Sequence, residues 1–208
     1  MVQIIQASKI TIGYLIDKFD LQRVNDDKFF TEWLADLPEL SELEKQTLDR
    51  IKSNFLHLIE RQQMIESIVK MVVLSPLLEL AGFYQPPFEI DGEKGVEIFV
   101  EDEDEVIKGD IDVLVLGNHL WIFVIESKRS SLSLDAGIPQ ALAYMLGNPN
   151  HEKPCFGFVT NGSHFVFLKL IKQDTPQYGR SDDFSIFNRG NDLYRVFSIL
   201  KHLAALLQ

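Results

Sequence analysis

The first half of the chain has apolar residues at helical spacing. Positions three and four residues apart repeat across residues 11–19, 26–37 and 41–57, which predicts amphipathic helices there. The pattern continues over residues 60–81 and stops at Gly82, a residue type that commonly follows a helix. The spacing therefore predicts a mainly helical N-terminal portion over residues 1–82.

After Pro86-Pro87 the hydrophobic period shortens to that of strands. Short runs rich in Val, Ile and Phe lie at residues 96–100, 111–116, 121–125, 156–160 and 165–171. One helix is predicted between the third and fourth runs, starting near Pro139 and ending at Gly147, and a closing helix covers residues 192–207. Asn161-Gly162 predicts a tight hairpin. We expect an α/β fold in one domain, with a mixed sheet of about five strands in residues 90–208 and flanking helices.

Composition excludes several classes of protein. Hydrophobic residues at 46% and charged residues at 25% are typical of globular domains, and a lone Cys155 excludes an internal disulfide and predicts a core thiol. The five histidines show no ligand spacing, which argues against zinc. The most apolar stretch is interrupted by Glu66, Lys70 and Glu79, so we expect no membrane span and a soluble, cytoplasmic protein.

The charge of the chain bears on its partners. A formal net charge of −11 argues against nucleic acid, because phosphate binding depends on Lys and Arg. Residues 86–112, however, hold eleven carboxylates against two lysines, so −9 of the −11 is local. Within this range the acidic run from Glu101 to Glu105 predicts a solvated loop or strand edge, with a second cation site or a mimic of nucleic acid as alternatives.

Two of the predicted strands carry charges near one end. Because side chains alternate across a strand, Asp110 and Asp112 lie on one face of their strand. For the same reason Glu126 and Lys128 lie on one face of theirs. Both strands are apolar on both faces, as central strands are, and a carboxylate buried there is costly unless a cation compensates it. Alternatively, Asp112 caps a turn and Glu126 with Lys128 is a solvated pair.

Strand pairing gives a sharper expectation. A two-residue Gly117-Asn118 turn would place Asp112 on the same face as Ile125 rather than Glu126. A shared site therefore requires an odd-length loop across residues 117–120, or a β-bulge.

The order of Asp112, a strand connection and Glu126-Ser127-Lys128 resembles the PD-(D/E)xK nuclease superfamily. Gln140 and Tyr144, four residues apart on a helix, are similar to the Q-x-x-x-Y element of many of these nucleases. The resemblance covers residues 60–170 approximately and is closest to the nuclease domain of type I restriction enzyme motor (R) subunits. It implies the restriction-endonuclease-like fold.

The resemblance also implies a mechanism. Asp112, Glu126 and the main-chain carbonyl of Ser127 would hold Mg²⁺ or Mn²⁺, which polarises the phosphate and lowers the pKa of water. Lys128 would position or deprotonate the attacking water, and Gln140 would orient the metal shell or contact a phosphate. Asp110 is an alternative ligand, and Glu66 is the expected acidic residue from an N-terminal helix. Tyr144 and Arg129 would contact substrate.

The leading hypothesis is accordingly a Mg²⁺-dependent DNA endonuclease of restriction or DNA-processing type. Cutting both strands implies a homodimer or partner subunits of a restriction system. A catalytically silent module that binds nucleic acid or protein is the alternative, and an assembly role for the N-terminal helices is a third. Nothing in the sequence identifies a base-reading helix.

Overall fold

The fold is a mixed β-sheet between two layers of helices. The computed structural model describes residues 3–100, 104–117, 120–127 and 133–207, with only the backbone of residues 120–125 and 127. The strands are β1 Gln3–Gln6, β2 Gln22–Arg23, β3 Phe88–Phe99, β4 Glu105–Gly117, β5 Leu120–Ser127, β6 Cys155–Thr160, β7 His164–Ile171, β8 Gln177–Arg180 and β9 Phe184–Ser185. The α-helices are α1 Ile12–Phe19, α2 Glu42–Ile59, α3 Glu66–Val69, α4 Ser75–Leu80, α5 Gly137–Leu146 and α6 Leu193–Leu206.

All of these strands belong to one sheet. Its order is β1-β4-β5-β6-β7-β8-β2, with β3 added on β4 and β9 on β7. The pairs β1 with β4, β5 with β6 and β2 with β8 are parallel, and the others are antiparallel. The expected α/β class, with a mixed sheet flanked by helices, is confirmed.

A separate hydrophobic core covers each face of the sheet. On one face α2, α3, α4 and α6 pack against the phenylalanines of β6 and β7, such as Phe158 and Phe167. On the other face α1 and α5 pack against Ile111 and Leu114 of β4 and Val159 of β6. Strands β4, β6 and β7 therefore contribute apolar side chains to both cores, as the sequence indicated for central strands.

Most helix predictions were confirmed, but the helix expected over residues 60–81 begins only at Glu66, after a turn and an irregular segment. Helix α2 starts at a capping box formed by Ser41 and Glu44, and α4 ends just before Gly82, whose φ of 88° continues no right-handed helix. The prediction of a helix over residues 26–37 is wrong, because the helical structure in this segment is limited to a 3₁₀ turn, Thr31–Trp33. Asp26 there accepts a hydrogen bond from the Lys28 amide and starts a turn instead.

The sheet is larger than the five strands expected. Strands β1, β2, β8 and β9 have two to four residues, too few for a visible hydrophobic alternation, and β1 and β2 bring the N-terminal portion into the sheet. Strand β3 begins at Phe88 rather than Val96, because its polar first half pairs with β4 as an exposed ribbon. The carboxylates Glu89, Glu93 and Glu97 of this ribbon are exposed. Residues 101–103 of the acidic run lie outside the described residues.

The register between β4 and β5 was predicted correctly. Gly117 pairs with Leu120 and Leu116 with Trp121, but the register shifts at a bulge, after which Val115 pairs with Phe123 and Val113 with Ile125. The ladder ends there, and its register, continued by one residue, would align Asp112 with Glu126. The bulge therefore supplies the even register that a site shared by these carboxylates requires.

Two further expectations concern burial. Cys155 is buried, and burial raises the pKa of its thiol to about 12, which suits the expected core role. None of the helices in the described ranges combines the length and hydrophobicity that a bilayer-spanning segment requires.

Candidate active site

The site lies at an opening in the sheet beside β4. One edge of β4 pairs with β3 from Val106 to Gly117. On the other edge, the pairing with β1 extends to Lys108 and the pairing with β5 begins at Val113. Residues 109–112 lie between these two ladders. On this edge their backbone thus faces a gap in the sheet, while their other edge pairs with β3.

Asp112 and Glu126 lie on either side of this gap. Glu126 is 1% exposed and pairs in register with Val159, whose side chain packs against α5. The Asp112 side chain is 11% exposed. Two carboxylates at the end of one ladder, both largely removed from water, are costly to hold without compensating positive charge.

Two side chains of the helical layer on the opposite face reach Asp112. The ammonium nitrogen of Lys70 lies 2.6 Å from Asp112 Oδ1 and 3.2 Å from Glu66 Oε1. Glu66 and Lys70 are one helical turn apart, so both point from the same side of the helix. The structure thus brings Glu66, expected from the sequence as the helical acidic residue, to within reach of Asp112.

Burial and neighbouring charges shift the pKa values of Glu66 and Lys70. Burial and the negative charge of Asp112 raise the pKa of Glu66, and the salt bridge to Lys70 only partly opposes this. Burial acts to lower the pKa of Lys70, but the hydrogen bonds and charges of Asp112 and Glu66 outweigh it and the pKa is raised. Lys70 therefore stays protonated and supplies the positive charge that these carboxylates need.

Gln140 and Tyr144 form a buried support below the gap. Gln140 Nε2 donates to the Tyr144 hydroxyl at 2.9 Å, and that hydroxyl donates to the main-chain carbonyl of Asp110 at 3.1 Å. Burial raises the pKa of Tyr144, the Gln140 hydrogen bond opposes this, and the charges of Glu126 and Asp112 raise it further. The phenol stays neutral and ties α5 to the segment of β4 that lies between its ladders to β1 and β5.

The burial of Tyr144 revises one expectation. Its side chain is 0% exposed and its hydroxyl is used inside the protein, so it has no surface to offer a substrate. A Cβ added at Gly109 would lie 2.5 Å from this hydroxyl and 2.8 Å from Ala7, which shows how closely the ring packs on β4. Tyr144 therefore holds the strand that carries Asp112 in place.

A tight turn lies beside the same end of β5. Thr160, the last residue of β6, pairs in register with Ser127. The Asn161 side chain accepts hydrogen bonds from the amides of Ser163 and His164, and Gly162 has a φ of 84°. A Cβ at Gly162 would lie 2.6 Å from Phe55 and 3.1 Å from Val69. This turn therefore sets the distance between the sheet and the helix that carries Glu66 and Lys70.

The other residues expected at the site divide into two groups. Asp110 is exposed, and its carboxylate lies over Gly95, its cross-strand neighbour on β3. Lys128 and Arg129 lie outside the described residues, and of Ser127 only the backbone is described. Lys70 was not expected from the sequence, although its i, i+4 spacing from Glu66 is the pattern of a helical ion pair.

No ready-made metal cage of three His, Cys, Asp or Glu side chains is present in the described part of the chain. At this site the Lys70 ammonium contacts one carboxylate oxygen of Glu66 and one of Asp112. These oxygens are therefore paired with a cationic side chain.

Comparison with known protein families gives a match over most of the chain. A family model described as type I restriction enzyme R protein N terminus (HSDR_N) matches residues 21–175. The matched range contains Glu66, Asp112, Glu126, Gln140 and Tyr144. Among curated proteins the chain has no match.

Proposed function

The chain belongs to the family of type I restriction enzyme R protein N termini, and on that premise we propose that it is a Mg²⁺-dependent DNA endonuclease. The proposal assigns the chemistry to Asp112, Glu126 and Lys128 of a PD-(D/E)xK site. DNA as substrate, and restriction-system subunits as partners, follow from the family. The relationship to restriction enzymes supports the proposal at the level of biological role.

One observation carries the chemical part of the proposal. Glu126 is almost completely buried and lies one residue beyond the end of the β4–β5 ladder, as Asp112 does on β4. A carboxylate in a purely structural role would be placed at a turn or at the surface, where water solvates it. Two of them facing one gap in a central sheet are typical of a cation-dependent site.

The residues present fit a small divalent cation. Every donor is an oxygen: the carboxylates of Asp112 and Glu126, the main-chain carbonyl of Ser127 and, from the helix, the carboxylate of Glu66. Oxygen donors with a few retained waters are what Mg²⁺ prefers. The ammonium of Lys70, which lies against two of these carboxylates, indicates that their oxygens point toward a common positive centre.

A bound Mg²⁺ would supply Lewis acidity toward the phosphate and lower the pKa of the attacking water. Asp112 and Glu126 would fix its place. Gln140 and Tyr144 act from below, since their hydrogen bonds anchor the backbone of Asp110 and so keep Asp112 aimed at the gap. Lys128, two residues after Glu126 in the sequence, would position the attacking water and offset charge on the phosphate.

Cleavage assays with the purified chain test this proposal. Supercoiled plasmid, a single-stranded oligonucleotide and an RNA of the same sequence are incubated with Mg²⁺, Mn²⁺ or EDTA, at low and at moderate salt. We expect DNA cleavage with Mg²⁺ or Mn²⁺, none with EDTA, and slower cleavage at the higher salt because phosphate contacts weaken. DNA binding without cleavage under all of these conditions would contradict the proposal and identify a silent binding module.

A further inference from the structure

Lys70 occupies the position at which the two layers of the site meet. Its side chain is 25% exposed, and its ammonium reaches both Asp112 on β4 and Glu66 on its own helix. The Asp112 contact joins residues far apart in the sequence and is the shorter of the two, at 2.6 Å. This geometry makes Lys70 the counter-ion of two proposed cation ligands.

The backbone at Lys70 is also unusual. Residues Lys70–Leu74 form a π-helical turn between α3 and α4, and the Lys70 carbonyl accepts a hydrogen bond from the amide of Ser75. Pro76 follows and has no N–H to continue a regular ladder, which accounts for the irregular turn. Single π-turns within helices are frequent at functional sites. The helix is thus irregular at the residue that reaches into the gap.

We propose that Lys70 competes with the divalent cation for Asp112 and Glu66, so that metal binding requires the ammonium to be displaced. This inference rests on the proposed function, since it assumes a cation at these carboxylates. The physical reason is electrostatic: a divalent ion coordinated by Asp112 would lie within a few ångströms of the ammonium, and the two positive charges repel strongly where water is scarce.

Two consequences follow for the chain itself. Before a cation binds, Lys70 neutralises part of the negative charge of the gap, which lets the sheet and helix layers pack together there. Once a cation binds, the ammonium is freed to move along the flank of the helix. Lys70 is therefore a positioning residue that lowers the metal affinity of the site in exchange for stability without metal.

Isothermal calorimetry with Mn²⁺ tests this inference directly. The wild-type chain is compared with Lys70→Met, which removes the charge but keeps the apolar stem, and with Lys70→Arg, which keeps the charge. Lys45→Met is the matched control, because Lys45 also pairs with a helical glutamate, Glu42, but lies on α2 away from the gap. Circular dichroism checks the fold, and Lys70→Gln replaces Lys70→Met if the latter does not fold.

We expect Lys70→Met to bind Mn²⁺ at least about tenfold more tightly, in line with the effect of one nearby opposite charge on a carboxylate. Lys70→Arg and Lys45→Met should not tighten binding. In thermal unfolding without metal, Lys70→Met should melt at a lower temperature than the wild type. Added Mn²⁺ should raise the melting temperature of Lys70→Met by more than it raises that of the wild type.

The outcomes separate this inference from the proposed function. Mn²⁺ binding by the wild type without tighter binding by the folded Lys70 variant would overturn the competition alone. No Mn²⁺ binding by any variant would overturn both the competition and the metal site. Tighter binding that persists in Lys70→Met combined with Asp112→Asn would also overturn the inference, because the ion would then be held elsewhere.

Discussion

Replacing Glu126 by glutamine is expected to slow metal-dependent DNA cleavage by about 10²- to 10³-fold or more, the loss seen when one electrostatic contributor is removed from an active site. Asp112→Asn should have a similar effect. Both changes keep the shape of the side chain and remove only the negative charge, which in the proposed site holds the cation. The measurement is the initial rate of plasmid nicking at saturating Mg²⁺.

Stability separates a catalytic role of Glu126 from a structural one. The carboxylate is 1% exposed, and a neutral amide costs less to bury than a charge. We therefore expect the free energy of unfolding of Glu126→Gln, measured in urea without metal, to equal or exceed that of the wild type. A large loss of stability together with the loss of cleavage would mean that Glu126 holds the fold rather than the cation.

Matched controls are available in the neighbouring strand. Glu97 and Asp91 lie on β3, and each pairs with a lysine, Lys108 and Lys94 respectively. Glu97→Gln and Asp91→Asn remove the same charge from the same sheet outside the gap. They should retain cleavage near the wild-type rate. A comparable loss of activity in these controls would contradict the assignment of the site.

Replacing Gly162 by alanine is expected to lower the free energy of unfolding by roughly 2–4 kcal/mol, since it adds left-handed strain to overpacking. Its φ is 84°, and the added Cβ would lie 2.6 Å from Phe55 and 3.1 Å from Val69. Val69 precedes Lys70, so relief of this clash moves the helix of Glu66 away from Asp112. Cleavage should therefore fall as well as stability.

Two other glycines divide this effect into its parts. Gly82 has a φ of 88°, but a Cβ there meets nothing within 4 Å, so Gly82→Ala measures the backbone strain alone, about 1–2 kcal/mol. Gly190 lies outside the left-handed region, and a Cβ added there would contact nothing within 4 Å. Gly190→Ala should therefore change the free energy of unfolding by less than about 0.5 kcal/mol. Equal losses for Gly162→Ala and Gly82→Ala would refute the packing of the turn against the helix. The measurement is urea unfolding of all three variants.

Much of the core of the fold could be predicted from the sequence, because its strands and helices are long and strongly patterned. The even register between β4 and β5, from either an odd-length loop or a bulge, was predicted from chemistry rather than from pattern. Two carboxylates that share a cation must share a face, and only an even register allows this. Strand pairing recorded in the structure agrees with that requirement.

Short or polar elements were missed for a different reason. The first half of β3 is a run of charged residues and glycines that no hydrophobic alternation reveals, and its strand conformation comes from pairing with β4. Residues 26–37 have helical spacing, but Phe30 is drawn into the core against Phe156, with ring centroids 6.2 Å apart. Tertiary packing overrides local preference in both segments.

The candidate site was only partly accessible to sequence reasoning. Motif spacing indicated Asp112, Glu126 and the pair of Gln140 and Tyr144, because those residues are close in the sequence or on one helical face. Lys70 is 42 residues from Asp112, and only the fold reveals their contact. The role of Tyr144 in holding β4 in place also depends on the burial of its side chain, which a sequence motif does not specify.

Crystals soaked in Mn²⁺ offer the most direct test of the central claim that Asp112 and Glu126 hold a divalent cation. We predict an anomalous difference peak in the gap beside β4, with oxygens of Asp112 and Glu126 about 2 Å from the ion and the Lys70 ammonium moved away from Asp112. A peak elsewhere, or none in the gap while Lys70 keeps its contact with Asp112, would contradict the account.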